Sequence, residues 1–340
     1  MPVNSGLADA ANAFLFATVI LYALAMLAYA CDFAFARQRV LADAVPAPAL
    51  VAAGAGGPAV TVPADPGPPP AAPGAPAGER AGRWPSGVWL RTAFGLTCIG
   101  VACQVMSITD RGLAEHRVPW GNMYEFLAAI TCMAVLVLVA AQIRYRAYYM
   151  GLFVLLPVVL GLGIDLTVVY TPAGALVPAL QSYWIAIHVT AMIIASGLFI
   201  FGAVVTTLFL IADRSERRVA AGRPSFSAGI LAHLPGAAVL DRLSYRSILF
   251  AFPVWTFGVM AGAIWADHAW GRYWGWDPKE TWSFITWVVY AMFLHARATA
   301  GWRGRRAAWI HMAAFTCLMF NLIGVNLWVS GLHSYAGLPG

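Results

Sequence analysis

The sequence predicts an all-α polytopic integral membrane protein with about eight transmembrane helices, and three observations lead there. Of 340 residues, 61% are hydrophobic and only 11% are charged, against about 25% charged in an average globular domain. Mean hydropathy is +0.71. The apolar residues gather into long runs, and a run of about 20 is what a helix needs to cross a bilayer.

Eight runs qualify, at 12–31, 88–109, 123–142, 147–164, 184–211, 248–266, 282–298 and 307–330. No basic stretch precedes the first, so a cleaved signal peptide is not indicated. Between the first and second runs, 41–86 are dominated by Ala, Pro, Gly and Val, with "PADPGPPPAAPGAPAG" at their centre. Too few large side chains are present to build a core, and the prolines remove backbone donors. A disordered cytoplasmic linker without a site is expected there. It separates an N-terminal transmembrane helix (1–40) from a multi-helix membrane domain (87–340). The fourth run, "YYMGLFVLLPVVLGLGI", is short and carries Pro157. After the fifth, "LDRLSYRSILFAFP" mixes basic and apolar groups at helical spacing, which predicts a segment in the inner headgroup region ahead of the next span. No internal repeat is visible.

Eight spans place both termini on one side, and arginine decides which. Of the 21 basic residues, 17 fall on one face; Arg111, Arg117, Arg272 and Lys279 fall on the other. The positive-inside rule makes the crowded face cytoplasmic. Both termini are then extracytoplasmic, and so is the connection between the sixth and seventh runs. The pI of about 9.2 reports this topology rather than a nucleic-acid partner. Cys31, Cys98, Cys103, Cys132 and Cys317 form no CxxC and lie in or beside apolar runs. They read as small core residues, so thiol–disulfide exchange is not expected of this chain.

That outer connection, "AWGRYWGWDPKETW", holds four tryptophans and four charged residues in 14 positions, including the only lysine of the chain. Six of the 14 tryptophans lie between Trp265 and Trp287. An interfacial belt needs one or two per span end. His188, at the outer start of the fifth run, and His333, just past the eighth, flank the loop on the same face. Two imidazoles beside an aromatic platform suit a flat metal-bearing ligand: histidine nitrogens ligate haem iron and indole faces stack on a porphyrin. Arg272 or Lys279 would pair with its carboxylates. His295, about 13 residues and roughly 20 Å into the seventh run, is an intramembrane ionisable group, a class that is costly and usually functional. His233 and His311 are expected at the inner interface, and His116 as a loop cap. Asp267 and His268 acquire no role.

The stretch "WGRYWGWDPKETWSFITWVVYAMFLHAR" resembles the WWD signature of haem-handling proteins, in particular the CcsA/ResC family of cytochrome c biogenesis. "IHV", "LDRLSYR", "GAIWADHAWG", "GWRGRRAAW" and "GVNLWVSGLHSY" agree with it. The resemblance is close over 181–340, the WWD core, looser through "PWGNMYEFLAA", and does not reach 1–85. It implies a bacterial inner-membrane subunit that works with a ResB-type membrane protein as haem exporter and cytochrome c synthase, a haem-lyase activity. The cargo would be haem b, and its vinyl groups would be joined to the CxxCH cysteines of apocytochrome c. It further implies that His188 and His333 are axial ligands of an outer haem. His295 would belong to a deeper site shared with the partner, and Trp270, Arg272, Trp274, Trp276 and Asp277 would be contact residues. Lys279 and Glu280 would cap the following helix. The alternatives are a haem carrier that loads a separate chaperone without thioether chemistry, and a bis-histidine membrane cytochrome passing electrons.

Overall fold

The computed structural model describes residues 3–43, 87–174, 180–223 and 234–333. Every regular element among these is helical. In chain order they are α1 (Ser5–Asp43), α2 (Val88–Glu115), α3 (Met123–Tyr145), α4 (Gly151–Thr167), α5 (Tyr183–Ala220), α6 (Ala237–Trp270), α7 (Pro278–Ala298) and α8 (Arg305–Met319). The last helix runs on through a π-helical turn, Phe320–Gly324, into a single turn, α9 (Val325–Trp328). All but the first three residues of the expected linker lie outside the described residues, as does His233.

Seven of these helices are long and apolar enough to cross a membrane. α7, the eighth expected span, is not among them, since it is polar at both ends, with Lys279 and Glu280 in its first turn and His295 and Arg297 in its last. Its geometry nevertheless sets it alongside the others. At its start the Lys279 ammonium reaches the Asn321 carbonyl in the π-helical turn that follows α8. At its end Arg297 makes two hydrogen bonds to Asp241 at the start of α6, at 2.8 and 2.9 Å. It therefore runs the length of the bundle, antiparallel to both neighbours. The segment "LDRLSYR" is no separate surface helix. It forms the first turns of the 34-residue α6, since nothing in it breaks the backbone ladder.

The outward faces are apolar, as the bilayer demands. On α1, Phe16, Ile20, Leu24 and Leu27 are exposed along one stripe, while Leu15, Tyr22, Ala25 and Tyr29 face inward. One polar cluster inside is paired across three helices: the Tyr22 hydroxyl donates to Gln104, whose amide donates to Thr131 and to the Ala128 carbonyl. This ties α1, α2 and α3 together. One apolar core is shared by α1–α4 and parts of α5 and α6; a second is formed by α5–α8.

The sequence also dictates the helix ends. Asn122 caps α3 by accepting from the Glu125 amide. Gly271, at φ 70°, ends α6 in the left-handed conformation that glycine adopts without steric cost. His116 ends α2 the same way at φ 55°, so the histidine expected to cap that loop does cap it. The Asn4 amide bonds to the Ala114 carbonyl, which puts the start of α1 at the same end of the bundle as His333.

Candidate functional site

Five segments converge at that end: the turn before α3, the start of α5, the end of α6, the start of α7, and the last turns of α8 and α9 with residues beyond. Between them opens a cleft with about 1150 Å³ of empty space, its mouth included. His188, Trp265, Trp274, Lys279 and His333 line it, with Trp120 on the far wall and Ser196, Trp255 and Leu318 at its floor.

Each histidine is held by one ring nitrogen. His188 projects from the first turns of α5 towards α6, where its Nδ1 lies 2.7 Å from the Gly258 carbonyl. A carbonyl only accepts, so Nδ1 carries the proton and Nε2 keeps its lone pair. The approach requires glycine on α6: a Cβ at Gly262 would stand 2.7 Å from the His188 ring. On the other side, His333 Nδ1 donates to Asp277 Oδ2 at 2.7 Å. Neither Nε2 has a hydrogen-bond partner among the described residues. This is how metal-binding histidines are commonly prepared, one nitrogen tied and the other presented.

Trp265 joins the two. Its buried indole lies parallel to His188, with centroids 6.0 Å apart, and edge-on to His333 at 5.5 Å. Trp270 closes on both, 4.8 Å from Trp265 and 5.0 Å from His333.

The Trp-rich loop is pinned by its own charges. Asp277 N-caps α7, and Glu280 returns the bond to the Asp277 amide, completing a capping box. Asp277 also accepts from the Leu332 amide at 2.7 Å, so one carboxylate fixes the start of α7, the segment after α9 and the His333 ring. Burial pushes this carboxyl's pKa up, but the hydrogen bonds from His333 and from the Leu332 and Lys279 amides outweigh it. They hold the pKa below the usual carboxylate range.

The expected contact residues divide accordingly. Trp274 lines the cleft with His188 and His333. Trp270 packs behind His333, and Asp277 acts on that ring rather than facing the cavity. Arg272 pairs with Glu280 at 3.5 Å, its guanidinium over Trp270. It occupies the space a side chain at Gly275 would need. Trp276 is 66% exposed and sits at φ 58°, a strained conformation for so bulky a residue. Its ring meets Trp274 and Phe284 outside the cavity. His295 is at the other end of α7, exposed. Lys279 does not cap α7 but stands in the cleft wall.

His311 is not interfacial. It is fully buried, with Nδ1 2.7 Å from the Thr206 hydroxyl, which lies 2.6 Å from Ser244. Two hydroxyls on α5 and α6 thus give it a place inside the bundle.

Two walls escaped the sequence reading. Trp265 shares a helix face with Gly258 and Gly262, a spacing of small residues and one indole that was available as a signal. The wall at Trp120–Asn122 is braced by a buried cluster of two arginines and two glutamates. Glu125 accepts from Arg111, Arg117, Asn122 and the Gly121 amide, and Arg117 also pairs with Glu115 at 2.6 Å. Arg111 and Arg117 had counted only as topological charges.

The sequence profile of the cytochrome C assembly protein family matches residues 120–333. Cytochrome c biogenesis protein CcsA of Gloeobacter violaceus is 34% identical over 310 residues, covering 74% of this chain and 91% of that protein. CcsA of Guillardia theta is 33% identical over 261 residues, covering 72% and 85%. CcsA of Chlamydomonas reinhardtii is 45% identical over 163 residues, covering 48% and 43%. Among solved structures, Cytochrome c Heme Lyase CcmF superposes with a TM-score of 0.55 at 15% identity, over 95% of this chain and 47% of its own length. That likeness is one of fold, and this chain spans about half of that protein.

Proposed function

The chain belongs to the cytochrome c assembly protein family, with CcsA proteins among its relatives, and on that premise we propose that it presents haem b for covalent attachment to apocytochrome c. It is a multi-pass membrane protein of cytochrome c biogenesis. In the proposed reading the cleft faces the extracytoplasmic side of a bacterial inner membrane, both termini lie on that side, and a ResB-type membrane protein completes the synthase.

One observation carries the reading. Two imidazoles meet at an indole-lined cleft, each with Nδ1 tied down and Nε2 presented. His188 and His333 would hold the iron through those nitrogens. Haem supplies the vinyl groups to which cysteine sulfurs add. The chain's own part is to orient and shield: Trp265 and Trp274 give apolar faces, Asp277 positions His333, and Arg272 locks the loop through Glu280. Trp270 backs His333, and Trp276 covers the outer rim. Positioning of this kind is a large part of what a bimolecular reaction needs. His295, exposed towards the other end of α7, would serve a deeper haem site together with a ligand from the partner.

The test is the haem content and spectrum of the full chain, purified with and without a ResB-type partner, in wild type, His188→Ala and His333→Ala. Loss of haem in both variants is expected; wild-type content in both contradicts the assignment. Co-expression with an apocytochrome then separates synthase from carrier, since covalent haem on the target is expected only of a synthase. His295→Ala should lower haem in the whole complex and leave the cleft of the isolated chain able to bind added haem.

A further inference from the structure

The α7–α8 wall of the cleft carries a lysine amid a largely apolar lining. Lys279 lies in the first turn of α7, and its Nζ donates to the Asn321 carbonyl at 2.8 Å. That carbonyl belongs to the π-helical turn, where the ordinary ladder is shifted. An ammonium has three donors, and one is used. Among the described residues no carboxylate lies within ion-pairing distance of Lys279. The two nearest in sequence are engaged: Glu280 accepts from the Gly275 and Asp277 amides and pairs with Arg272, and Asp277 holds His333.

The neighbours of Lys279 on this wall are also incompletely used. The Asn321 amide donates to the Ser283 hydroxyl at 3.0 Å, while its Oδ1 is buried with no hydrogen-bond partner among the described residues. Lys279, Ser283 and Asn321 face the same cavity as His188 and His333. Arg272, the loop's other cation, is outside that cavity and already paired. An ammonium in a largely apolar cleft is costly unless an anion meets it.

We propose that Lys279 is the carboxylate receptor of the cleft, pairing with an acid group of a flat, metal-bearing ligand held by His188 and His333. The cleft then selects a macrocycle that carries free carboxylates over the same macrocycle as a neutral ester. This rests on the haem-presenting reading and adds to it which residue recognises the ligand's acidic edge.

The experiment titrates the full-length chain in detergent with haem and with haem dimethyl ester, following the visible spectrum. Wild type should bind the acid roughly 10- to 100-fold more tightly than the ester, the range of a charge-assisted hydrogen bond. Lys279→Met should lower affinity for the acid to that for the ester, without changing the ester's own affinity or the low-spin bis-nitrogen spectrum. Lys279→Arg should keep most of the discrimination. Equal binding of acid and ester by wild type overturns the proposal, and that arm needs no variant to fold. Undiminished discrimination in Lys279→Met overturns it too. If wild type gives no low-spin spectrum with either ligand, the haem-presenting reading fails first and takes this one with it.

Discussion

The two ends of the α5–α8 bundle treat histidine in opposite ways. At the cleft end, His188 and His333 are each fixed through Nδ1 to an acceptor, and both rings line a cavity. At the other end, His311 is fixed through Nδ1 to the Thr206 hydroxyl, but its Nε2 is sealed in the core with no hydrogen-bond partner among the described residues. The anchoring is similar; the access is not. A tied imidazole becomes a ligand site only where packing leaves room in front of it; at His311 the Tyr290 and Phe293 rings pack against the imidazole, each with its centroid 5.8 Å away, and Gly202 backs its Cε1–Nε2 edge.

The largest expected effect breaks the comparison at its cleft end. His188→Ala or His333→Ala should abolish low-spin haem binding by the isolated chain, whereas His311→Leu should leave it unchanged. Parallel titrations of the purified variants check this. His311→Leu should also cost no more than about 2 kcal/mol of stability, since it removes one hydrogen bond and an unpartnered nitrogen together. Thermal unfolding in detergent measures that cost.

Asp277→Asn comes next. Loss of the carboxylate behind a histidine ligand weakens metal binding by about 10- to 100-fold, while asparagine, whose side-chain oxygen still accepts, caps a helix about as well as aspartate. Because the folded Asp277 carboxyl sits below its ordinary range, its contribution to stability is fully present above that range. It is lost only as pH falls through the depressed value. The stability difference between wild type and Asp277→Asn should therefore stay constant from pH 8 to pH 5 and shrink only in stronger acid.

Smaller effects separate the tryptophans. Trp274→Ala removes a cleft face and should weaken haem binding by roughly 3- to 10-fold, the range of an aromatic contact. Trp276→Ala, outside the cavity, should change affinity by less than about twofold. A reversal of that order in equilibrium titrations would move the ligand from the cavity to the outer rim.

What the sequence disclosed, and what it withheld, follow the same contrast. The helices were legible because lipid forces long apolar runs, and the flanking histidines because arginine asymmetry placed them on one face. The pairing of Asp277 with His333 was not legible, because it links positions 56 residues apart that only the antiparallel return of α8 brings together. Lys279 resembled a helix cap because a lysine in a first turn is locally ordinary; the π-helical turn it meets lies 42 residues on. His311 looked interfacial for a related reason, since its partners Thr206 and Ser244 sit on two other helices. Conversely, the capping role of Glu280 at the start of α7 was local, and its side-chain type beside a helix start sufficed.

The central claim is that Nε2 of His188 and Nε2 of His333 both bind the same iron. Imidazole rescue tests it most directly. His188→Gly and His333→Gly, each loaded with haem in the full-length chain, should lose the low-spin bis-nitrogen spectrum and regain it when free imidazole is added. The His311→Gly control should show the wild-type spectrum throughout. A low-spin spectrum that survives either cleft substitution without imidazole would contradict the account.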